Sequence, residues 1–186
     1  MELSRFQALQ QVQSAFGDKA TYFVTTGKMS REFLLNNISN LCLFPCVGGM
    51  GHVSSIAYSY ALLSRKLTLC LDGDGSFLMH LGAISSFDKN DDLKFVHVIL
   101  DNQIHQSVGG GRTNSGKIDF KSLAKAFSYD SFFAVDTIEA FSNILSSSNW
   151  QGKHLVHVRI SDSEIADLPR PKSKLIDFLH NFEVNW

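Results

Sequence analysis

Two apolar runs that each end in oxygen-bearing residues constrain the fold of this chain more than any other feature. Residues 67–71 run into the sequence DGDGS, and residues 95–100 run into Asp101 and Asn102. Between them, apolar residues recur at the spacing of a helix, namely Phe77, Leu81 and Ile84. The pattern predicts strand, helix, strand, and a right-handed crossover makes the two strands parallel. Ligands of open α/β sheets lie outside the carboxyl ends of the strands, which is where Asp74 and Asn102 fall.

The residues after the first of these strands have the chemistry of an anion site. Gly73 and Gly75 permit close approach of the backbone, and Ser76 is predicted to open a helix whose free N–H groups favour a phosphate. Asp74 would repel that phosphate unless a cation lay between them, and carboxylate, amide and phosphate oxygens suit Mg²⁺. The GDG sequence is also a common turn, and Asp-Asn commonly ends a strand, so the inference depends on their combination. Together they predict a diphosphate held through a metal ion.

Apolar periodicity elsewhere predicts an α/β domain with a mostly parallel sheet. Strands are expected at residues 21–24, 41–47, 67–71, 95–100, 132–135 and 154–160. Helices are expected at residues 1–17, 30–36, 119–128, 137–146 and near 176–179, with a longer one after the glycines at 48–51. A chain of 186 residues is long enough to build a full core, so we expect one domain over residues 1–186.

Composition and charge argue against several classes of function. The formal net charge is −1 and no basic stripe occurs, so neither nucleic acid nor an anionic membrane is indicated as a partner. The sequence shows no signal-peptide pattern and no apolar run of membrane-spanning length, which favours the cytoplasm. The three cysteines fit neither a disulfide framework nor zinc-finger spacing, and they are expected to be buried, reduced thiols: Cys42, Cys46 and Cys70.

The polar stretch resembles a known motif once its spacing is considered. Gly73-Asp74-Gly75-Ser76, with 26 residues between Gly75 and Asn102, resembles the GDG…N motif of thiamine diphosphate enzymes. Residues 25–32 (TTGKMSRE), 47–52 (VGGMGH) and 107–110 (SVGG) resemble the diphosphate-binding half of phosphonopyruvate decarboxylases and the β subunit of sulfopyruvate decarboxylases. The resemblance covers residues 18–160 and implies a three-layer α/β/α domain of the diphosphate-binding type, with helical extensions at both ends.

The resemblance also implies which residues hold the cofactor and the metal. Cofactor contacts are expected from Thr26, Gly27, Lys28, Gly48, Met50, Gly73, Gly75, Ser76, Asn102, Ile104 and His105. Metal ligands are expected to be Asp74, Asn102 and the backbone carbonyl of Ile104. Within this set, Gly48 would offer its carbonyl to the aminopyrimidine ring, and Met50 would support the bent conformation of thiamine diphosphate. Plainer interpretations stay open, with Lys28 as a solvated loop residue and Met50 as a core residue.

Two histidines are candidates for catalytic roles near the reacting atoms. By the resemblance, His52 would lie near the reaction centre, although a histidine at a helix start is often only a cap. His105 belongs to the polar loop of residues 103–116, whose length is typical of a lid or a binding loop. Together with Gln106 and Arg112, His105 points to an anionic group on the substrate. This loop departs from related sequences at residues 104–106, which leaves the substrate open.

The implied reaction is thiamine diphosphate-dependent decarboxylation of phosphonopyruvate or a similar anionic 2-oxo acid such as sulfopyruvate. In the family, an activating glutamate belongs to a separate pyrimidine-binding domain, for which 186 residues leave no room. We therefore expect a pyrimidine-binding partner subunit and a hetero-oligomer. The alternative is a catalytically silent binding or regulatory module, although Asp74, Ser76 and Asn102 are all present. A nucleotide-binding Rossmann domain is disfavoured because the glycines at 48–51 lack the G-x-G-x-x-G spacing.

Overall fold

The six apolar runs pair as parallel strands of one sheet. The computed structural model describes residues 3–36, 41–88, 90 and 92–183. The strands are β1 (Thr21–Thr25), β2 (Cys42–Cys46), β3 (Thr68–Gly73), β4 (Lys94–Asp101), β5 (Ser131–Val135) and β6 (Gly152–Arg159). Their order across the sheet is β2-β1-β3-β4-β6-β5. Each predicted strand lies within about two residues of its observed position, and the predicted parallel direction is confirmed.

The helices of the described residues connect and flank these strands. They are α1 (Arg5–Phe16), α2 (Lys28–Leu35), α3 (Val53–Ser64), α4 (Asp74–Met79), α5 (Phe120–Ala126), α6 (Ile138–Ser147) and α7 (Leu175–Glu183). Short 3₁₀ segments occur at Gly17–Lys19, Leu81–Ser86 and Ser115–Lys117. None of the helices in this part of the chain is long and apolar enough to cross a membrane.

The predicted helix between β3 and β4 is wrong in two details. The helix begins at Asp74 rather than at Ser76, because Gly73 is extended and serves as the N-cap. It also ends at Met79, since His80 has non-helical backbone angles, and a 3₁₀ helix follows. Three residues per turn place positions 81, 84 and 87 on one edge of that 3₁₀ segment, which buries Ile84 and Phe87.

Alternation along the central strands separates the core into two halves, one on each face of the sheet. In β3, Leu69 and Leu71 face a cluster that also contains residues of α1, α2 and α6, whereas Cys70 faces a cluster with residues of α3, α4 and α5. Successive residues of β4 divide in the same way. The three-layer α/β/α arrangement is therefore confirmed, and the central strands are covered on both faces.

The order of the strands fixes where a ligand can bind. From β1 the chain moves to β2 on one side, then returns to β3 on the other side of β1. This reversal is a topological switch point, and the loops at the carboxyl ends of β1 and β3 diverge there to leave a crevice.

Helix α1 is an integral part of the core. A capping box between Ser4 and Gln7 starts the helix, and Leu9 and Val12 are buried in the cluster that α2 and α6 share. The N-terminal helix that the resemblance implies as an extension therefore packs on the domain itself. At the other end of the chain, α7 packs beside the edge strand β2.

Candidate functional site

A cleft opens at the carboxyl edge of the sheet, at the switch point between β1 and β3. It brings together ten of the residues singled out from the sequence, which are Thr26, Lys28, Met50, Gly73, Asp74, Gly75, Ser76, Asn102, Ile104 and His105. These residues come from four separate segments of the chain, so the cleft exists only in the folded domain.

Asp74 lies at the floor of the cleft with only 3% of its surface exposed. Its Oδ2 atom accepts a hydrogen bond from the Thr113 hydroxyl and lies 3.1 Å from Oγ of Ser115. Burial raises the pKa of Asp74, and the neighbouring charge of Asp101 adds to the rise, while the two hydroxyl groups oppose it. In the described part of the chain no cationic side chain pairs with Asp74. A buried carboxylate with that environment favours a cation beside it.

Asp101 is the contrasting carboxylate, since its charge is compensated within the protein. Oδ1 lies 2.8 Å from Ser115 Oγ, while Oδ2 accepts a 2.8 Å hydrogen bond from His157 and lies 3.4 Å from Arg159. Burial by itself would raise the pKa of Asp101, but the partners His157, Ser115 and Arg159 outweigh it, so the pKa is lowered. Asp101 therefore stays ionised and, through Ser115, helps to position Asp74.

Ser76 is hydrogen-bonded to two other segments that line the cleft. Its Oγ lies 2.9 Å from the hydroxyl of Thr25 at the end of β1 and accepts a 3.0 Å hydrogen bond from the backbone N–H of Gly51. These bonds tie α4 to β1 and to the glycine-rich turn that carries Met50. The side chain of Ser76 thus fixes the geometry of three segments at the site.

The loop after β4 folds back on itself and closes one side of the cleft. Ile104 pairs with Arg112 in an antiparallel bridge, and the Ile104 N–H donates a 3.1 Å hydrogen bond to Oδ1 of Asn102. His105 lies directly over Gly75, where an added Cβ would come within 2.5 Å of the imidazole Cε1. Gly75 is thus required by close approach, as the sequence pattern suggests. The loop is a compact hairpin-like turn with its tip at residues 107–110.

The donor atoms in the cleft fit a hard divalent cation. Asp74 offers a carboxylate, Asn102 an amide oxygen and Ile104 a backbone carbonyl, which are oxygen ligands of the kind that Mg²⁺ prefers. The Ile104 carbonyl accepts a 2.9 Å hydrogen bond from the Gln106 N–H, which leaves its second lone pair available. The residues present therefore suit a metal-bridged anion, and the uncompensated charge of Asp74 is the observation behind that fit.

Three of the predicted site residues lie outside the cleft lining. Gly27 lines a neighbouring cavity beside α7, and Gly48 lies in the turn after β2 with a φ of +77°. His52 is exposed, and its ring packs against that of His80 at a tilt of 34°, with 4.1 Å between centroids. Lys28 does line the cleft, but its ammonium group forms an ion pair with Glu164. The roles expected of these four residues stay predictions.

Several residues of the site were missed by sequence reasoning. Thr113 and Ser115 reach Asp74 from a loop whose sequence carries no motif, and only their hydroxyl groups hinted at such contacts. Arg5 of α1 forms two hydrogen bonds with Glu32, at 3.0 and 2.5 Å, and a third with Gln106 at 2.6 Å. No local pattern could connect α1 with a loop so distant in sequence.

Comparison with known proteins decides the family. Residues 25–158 match the family model described as thiamine pyrophosphate enzyme, C-terminal TPP binding domain. The chain belongs to this family. Thiamine pyrophosphate is the same compound as thiamine diphosphate, so the resemblance inferred from the GDG…N motif is confirmed.

Named relatives show which members of this family the chain resembles. The phosphonopyruvate decarboxylase of Streptomyces viridochromogenes is 33% identical over 171 residues, which is 91% of this chain and 43% of that protein. The sulfopyruvate decarboxylase subunit beta of Methanococcus maripaludis is 31% identical over 132 residues, or 70% of each chain. This chain thus spans about two fifths of the length of the phosphonopyruvate decarboxylases that it matches.

Solved structures agree with the fold of this thiamine pyrophosphate family member. The benzoylformate decarboxylase of Polynucleobacter necessarius superposes with a TM-score of 0.68 at 16% identity, covering 86% of this chain and 33% of that chain. The 4-hydroxybenzoylformate decarboxylase of Rhodococcus jostii RHA1 gives a TM-score of 0.67 at 22% identity, covering 88% and 34%. Identities this low show a shared fold alone.

Proposed function

We propose that this chain binds the diphosphate of thiamine diphosphate through Mg²⁺, as one part of a decarboxylase of phosphonopyruvate or a similar anionic 2-oxo acid such as sulfopyruvate. The observation that carries the proposal is the buried, uncompensated carboxylate of Asp74 beside Asn102 in the switch-point cleft. The names of the relatives supply the class of substrate.

Different residues of the cleft would bind the metal ion and orient the cofactor. Asp74, Asn102 and the Ile104 carbonyl would hold Mg²⁺, whose positive charge offsets both the carboxylate and the diphosphate. Thiamine diphosphate, when bound, supplies the electron sink that decarboxylation of a 2-oxo acid requires. The protein's part is to orient that cofactor, for which Met50 offers an apolar side chain at the cleft.

The anionic end of the substrate would be recognised beside the cofactor cleft. A second cavity shares Asn102 and Ile104 with the cleft, and its lining includes Arg112 and Arg159 as well as Asp136 and Asp162. His105 lines the cofactor cleft and belongs to the same loop as Arg112, which lines the second cavity. Cationic and N–H donor groups in this position suit a phosphonate or a sulfonate.

A second subunit is part of the proposal. The chain spans about two fifths of its phosphonopyruvate decarboxylase relatives, and other relatives are named as subunit beta of sulfopyruvate decarboxylase. We propose that a pyrimidine-binding partner supplies the activating glutamate and completes a hetero-oligomer with the cofactor between subunits. A catalytically silent module of the same fold would bind the cofactor without turnover, and it is the competing hypothesis.

Calorimetric titration of thiamine diphosphate with Mg²⁺ tests the proposal, using the chain alone and then reconstituted with a pyrimidine-binding subunit. We expect binding that needs Mg²⁺, and decarboxylation of phosphonopyruvate or sulfopyruvate only in the reconstituted complex. Asp74→Asn keeps the size of the side chain but removes its charge, so it should weaken binding by roughly 100-fold, about 2.7 kcal/mol.

Asp92→Asn is the matched control, because Asp92 is exposed and pairs with Arg65 away from the cleft. It should leave the affinity unchanged. Tight cofactor binding without turnover in a confirmed complex would favour the silent module. Equal affinity of the wild-type chain and Asp74→Asn would overturn the metal-bridged site.

A further inference from the structure

A second group of ligand-type side chains lies in the core, behind the cleft. Cys70 and Asp72 of β3 and His97 of β4 are all completely buried. Cys70 and His97 are register partners on adjacent strands, and Asp72 lies two residues beyond Cys70. Because side chains alternate along a strand, all three point to the same face of the sheet.

Two polar atoms in this cluster lack any hydrogen-bond partner among the described residues. They are Oδ2 of Asp72 and Nε2 of His97, and they lie 3.7 Å apart. That distance is too long for a hydrogen bond between them. Leaving buried polar groups unpaired is expensive, so a native core rarely keeps two that face each other.

The remaining polar atoms of these two side chains are satisfied. Oδ1 of Asp72 accepts a 2.9 Å hydrogen bond from the Gly73 N–H, and Nδ1 of His97 lies 3.1 Å from the hydroxyl of Tyr129. When Nδ1 carries the proton and donates to Tyr129, the lone pair of Nε2 faces Asp72. This is the arrangement in which a metal-ligating histidine is oriented by a bond from its other ring nitrogen.

The three candidate ligand atoms, Cys70 Sγ, an Asp72 carboxylate oxygen and a His97 ring nitrogen, all lie within 4.8 Å of one another. Bonds of about 2.0–2.3 Å in a tetrahedral zinc site separate neighbouring ligand atoms by roughly 3.3–3.8 Å. The 3.7 Å between Oδ2 and Nε2 falls in that range. A mixed sulfur, nitrogen and oxygen set is a zinc set, whereas Mg²⁺ prefers oxygen alone.

We propose that Cys70, Asp72 and His97 bind a structural Zn²⁺ ion within the sheet, with a water molecule as the fourth ligand. A thiolate and a carboxylate together neutralise the two charges of the ion, so the site carries no net charge in a place without bulk solvent. This is a metal site separate from the Mg²⁺ site of the cleft, and it does not depend on the proposed function.

The thiol of Cys70 supplies an independent chemical signature. Burial raises the pKa of Cys70 well above its usual value, so the thiol stays protonated without a cation. Zinc binding would release that proton to solvent as the thiolate forms its bond to the metal. The ion would also fix β3 to β4 just before Asp74 and Asn102.

Metal analysis of the full chain, purified without chelators and refolded with one equivalent of zinc, tests this site. We expect roughly one zinc per chain, retained on dialysis, and loss of most of it in Cys70→Ser and in His97→Gln. Cys42→Ser is the matched control, because Cys42 is also buried but belongs to the edge strand β2. Asp74→Asn should also keep the zinc, which separates this site from the cleft.

Cobalt substitution keeps the proposal testable if the variants fail to fold. Wild-type chain refolded with Co²⁺ should show a thiolate-to-cobalt charge-transfer band and the visible bands of a four-coordinate ion. Absence of both bands, or only traces of zinc in the well-folded wild type, would overturn the proposal. Full zinc content in a folded Cys70→Ser with loss in His80→Ala would also overturn it, since the metal would then lie on the surface pair His52 and His80.

Discussion

At the scale of single residues, Asp74 and Asp101 are neighbouring buried carboxylates whose pKa values are shifted in opposite directions. Asp101 has His157 and Arg159 as partners, and its pKa is lowered, whereas Asp74 accepts hydrogen bonds from the hydroxyl groups of Thr113 and Ser115 and its pKa is raised by burial. A folded protein that keeps an uncompensated buried charge loses stability as the pH rises through the raised pKa, because the unfolded chain ionises more easily. The buried charge of Asp74 thus lowers the stability of the protein without a cation and raises its affinity for one.

Gly75→Ala should show how closely the cleft is fitted. A Cβ at this position would clash with Nδ1 and Cε1 of the His105 ring and lie 3.2 Å from Thr113 Cγ2, so His105 must leave its place over α4. We expect at least a tenfold loss of cofactor affinity and about 1–3 kcal/mol of destabilisation from overpacking. Calorimetry and thermal unfolding measure the two effects.

The matched control for that variant is Gly82→Ala, since a Cβ at Gly82 would meet nothing within 4 Å. It should leave the affinity unchanged and the melting temperature nearly so. An unchanged affinity in Gly75→Ala would mean that His105 does not restrict the cleft.

Sequence reasoning at this scale succeeded where a residue's position follows from the end of a strand. Asp74 and Asn102 were placed correctly because parallel strands end at one edge and because the spacing between them fits one crossover. Thr113 and Ser115 could not be placed, since they reach Asp74 across 39 and 41 residues through a loop. Hydrophobic periodicity does not predict which hydroxyl group of a loop will contact a carboxylate that is distant in sequence.

At the scale of elements, the segment after β6 is the least predictable and closely linked to the cleft. It crosses the carboxyl edge of the sheet and makes three contacts, with the loop after β4 and with α2, on its way to α7. The Asp162 carbonyl accepts a 2.6 Å bond from Gln106, Glu164 pairs with Lys28, and the Leu168 carbonyl accepts a 3.0 Å bond from Arg31. A polar stretch without periodicity gave no basis for predicting this path.

Glu164→Gln should release the ammonium group of Lys28 toward the cleft. A partly exposed ion pair contributes little to stability, so the melting temperature should stay within about 1 °C. Affinity for the diphosphate should rise by roughly two- to fivefold at low salt, and the gain should shrink at high salt because of screening. Titrations at two ionic strengths measure the change.

Asp167→Asn is the control, because it removes a negative charge from the same segment without touching the ion pair of Lys28. Lys28→Met removes the ammonium group whose release is expected to raise the affinity. The control should leave the affinity as it is, and Lys28→Met should abolish the gain when combined with Glu164→Gln. A gain that persists in the double variant would assign the effect to general charge rather than to Lys28.

At the scale of the whole molecule, we expect the two core clusters, one on each face of the sheet, to make the domain unfold as a single cooperative unit. Strand order, parallel direction and layers were predictable because buried strands and amphipathic helices leave strong periodic signals. The depth to which α1 enters the core could not be predicted, because its buried face mixes Leu9 and Val12 with polar residues. One of these is Gln13, which is buried and donates a hydrogen bond to the Phe33 carbonyl.

Leu9→Ala should therefore destabilise the entire domain rather than loosen one end. Leu9 is completely buried in the core cluster that α1 shares with α2 and α6, so we expect a loss of about 2–5 kcal/mol in the free energy of unfolding. Urea denaturation should show one transition with α1 melting together with the sheet. Leu63→Ala, on an exposed position of α3, should change the value by less than about 0.5 kcal/mol. A separate early transition in Leu9→Ala would show that α1 is an independent extension.

The contacts of the first residues of the chain have a consequence for its synthesis. Arg5 reaches Gln106 across 101 residues, and the carbonyl of Leu3 accepts a 2.8 Å hydrogen bond from the N–H of Ser161. A ribosome makes the helix that carries Arg5 early, long before the loop and the segment that it must meet. The early strands can pair while translation continues, but the cleft is completed only after residue 162 has emerged. During synthesis, a nascent chain therefore acquires most of its sheet well before it acquires its binding site.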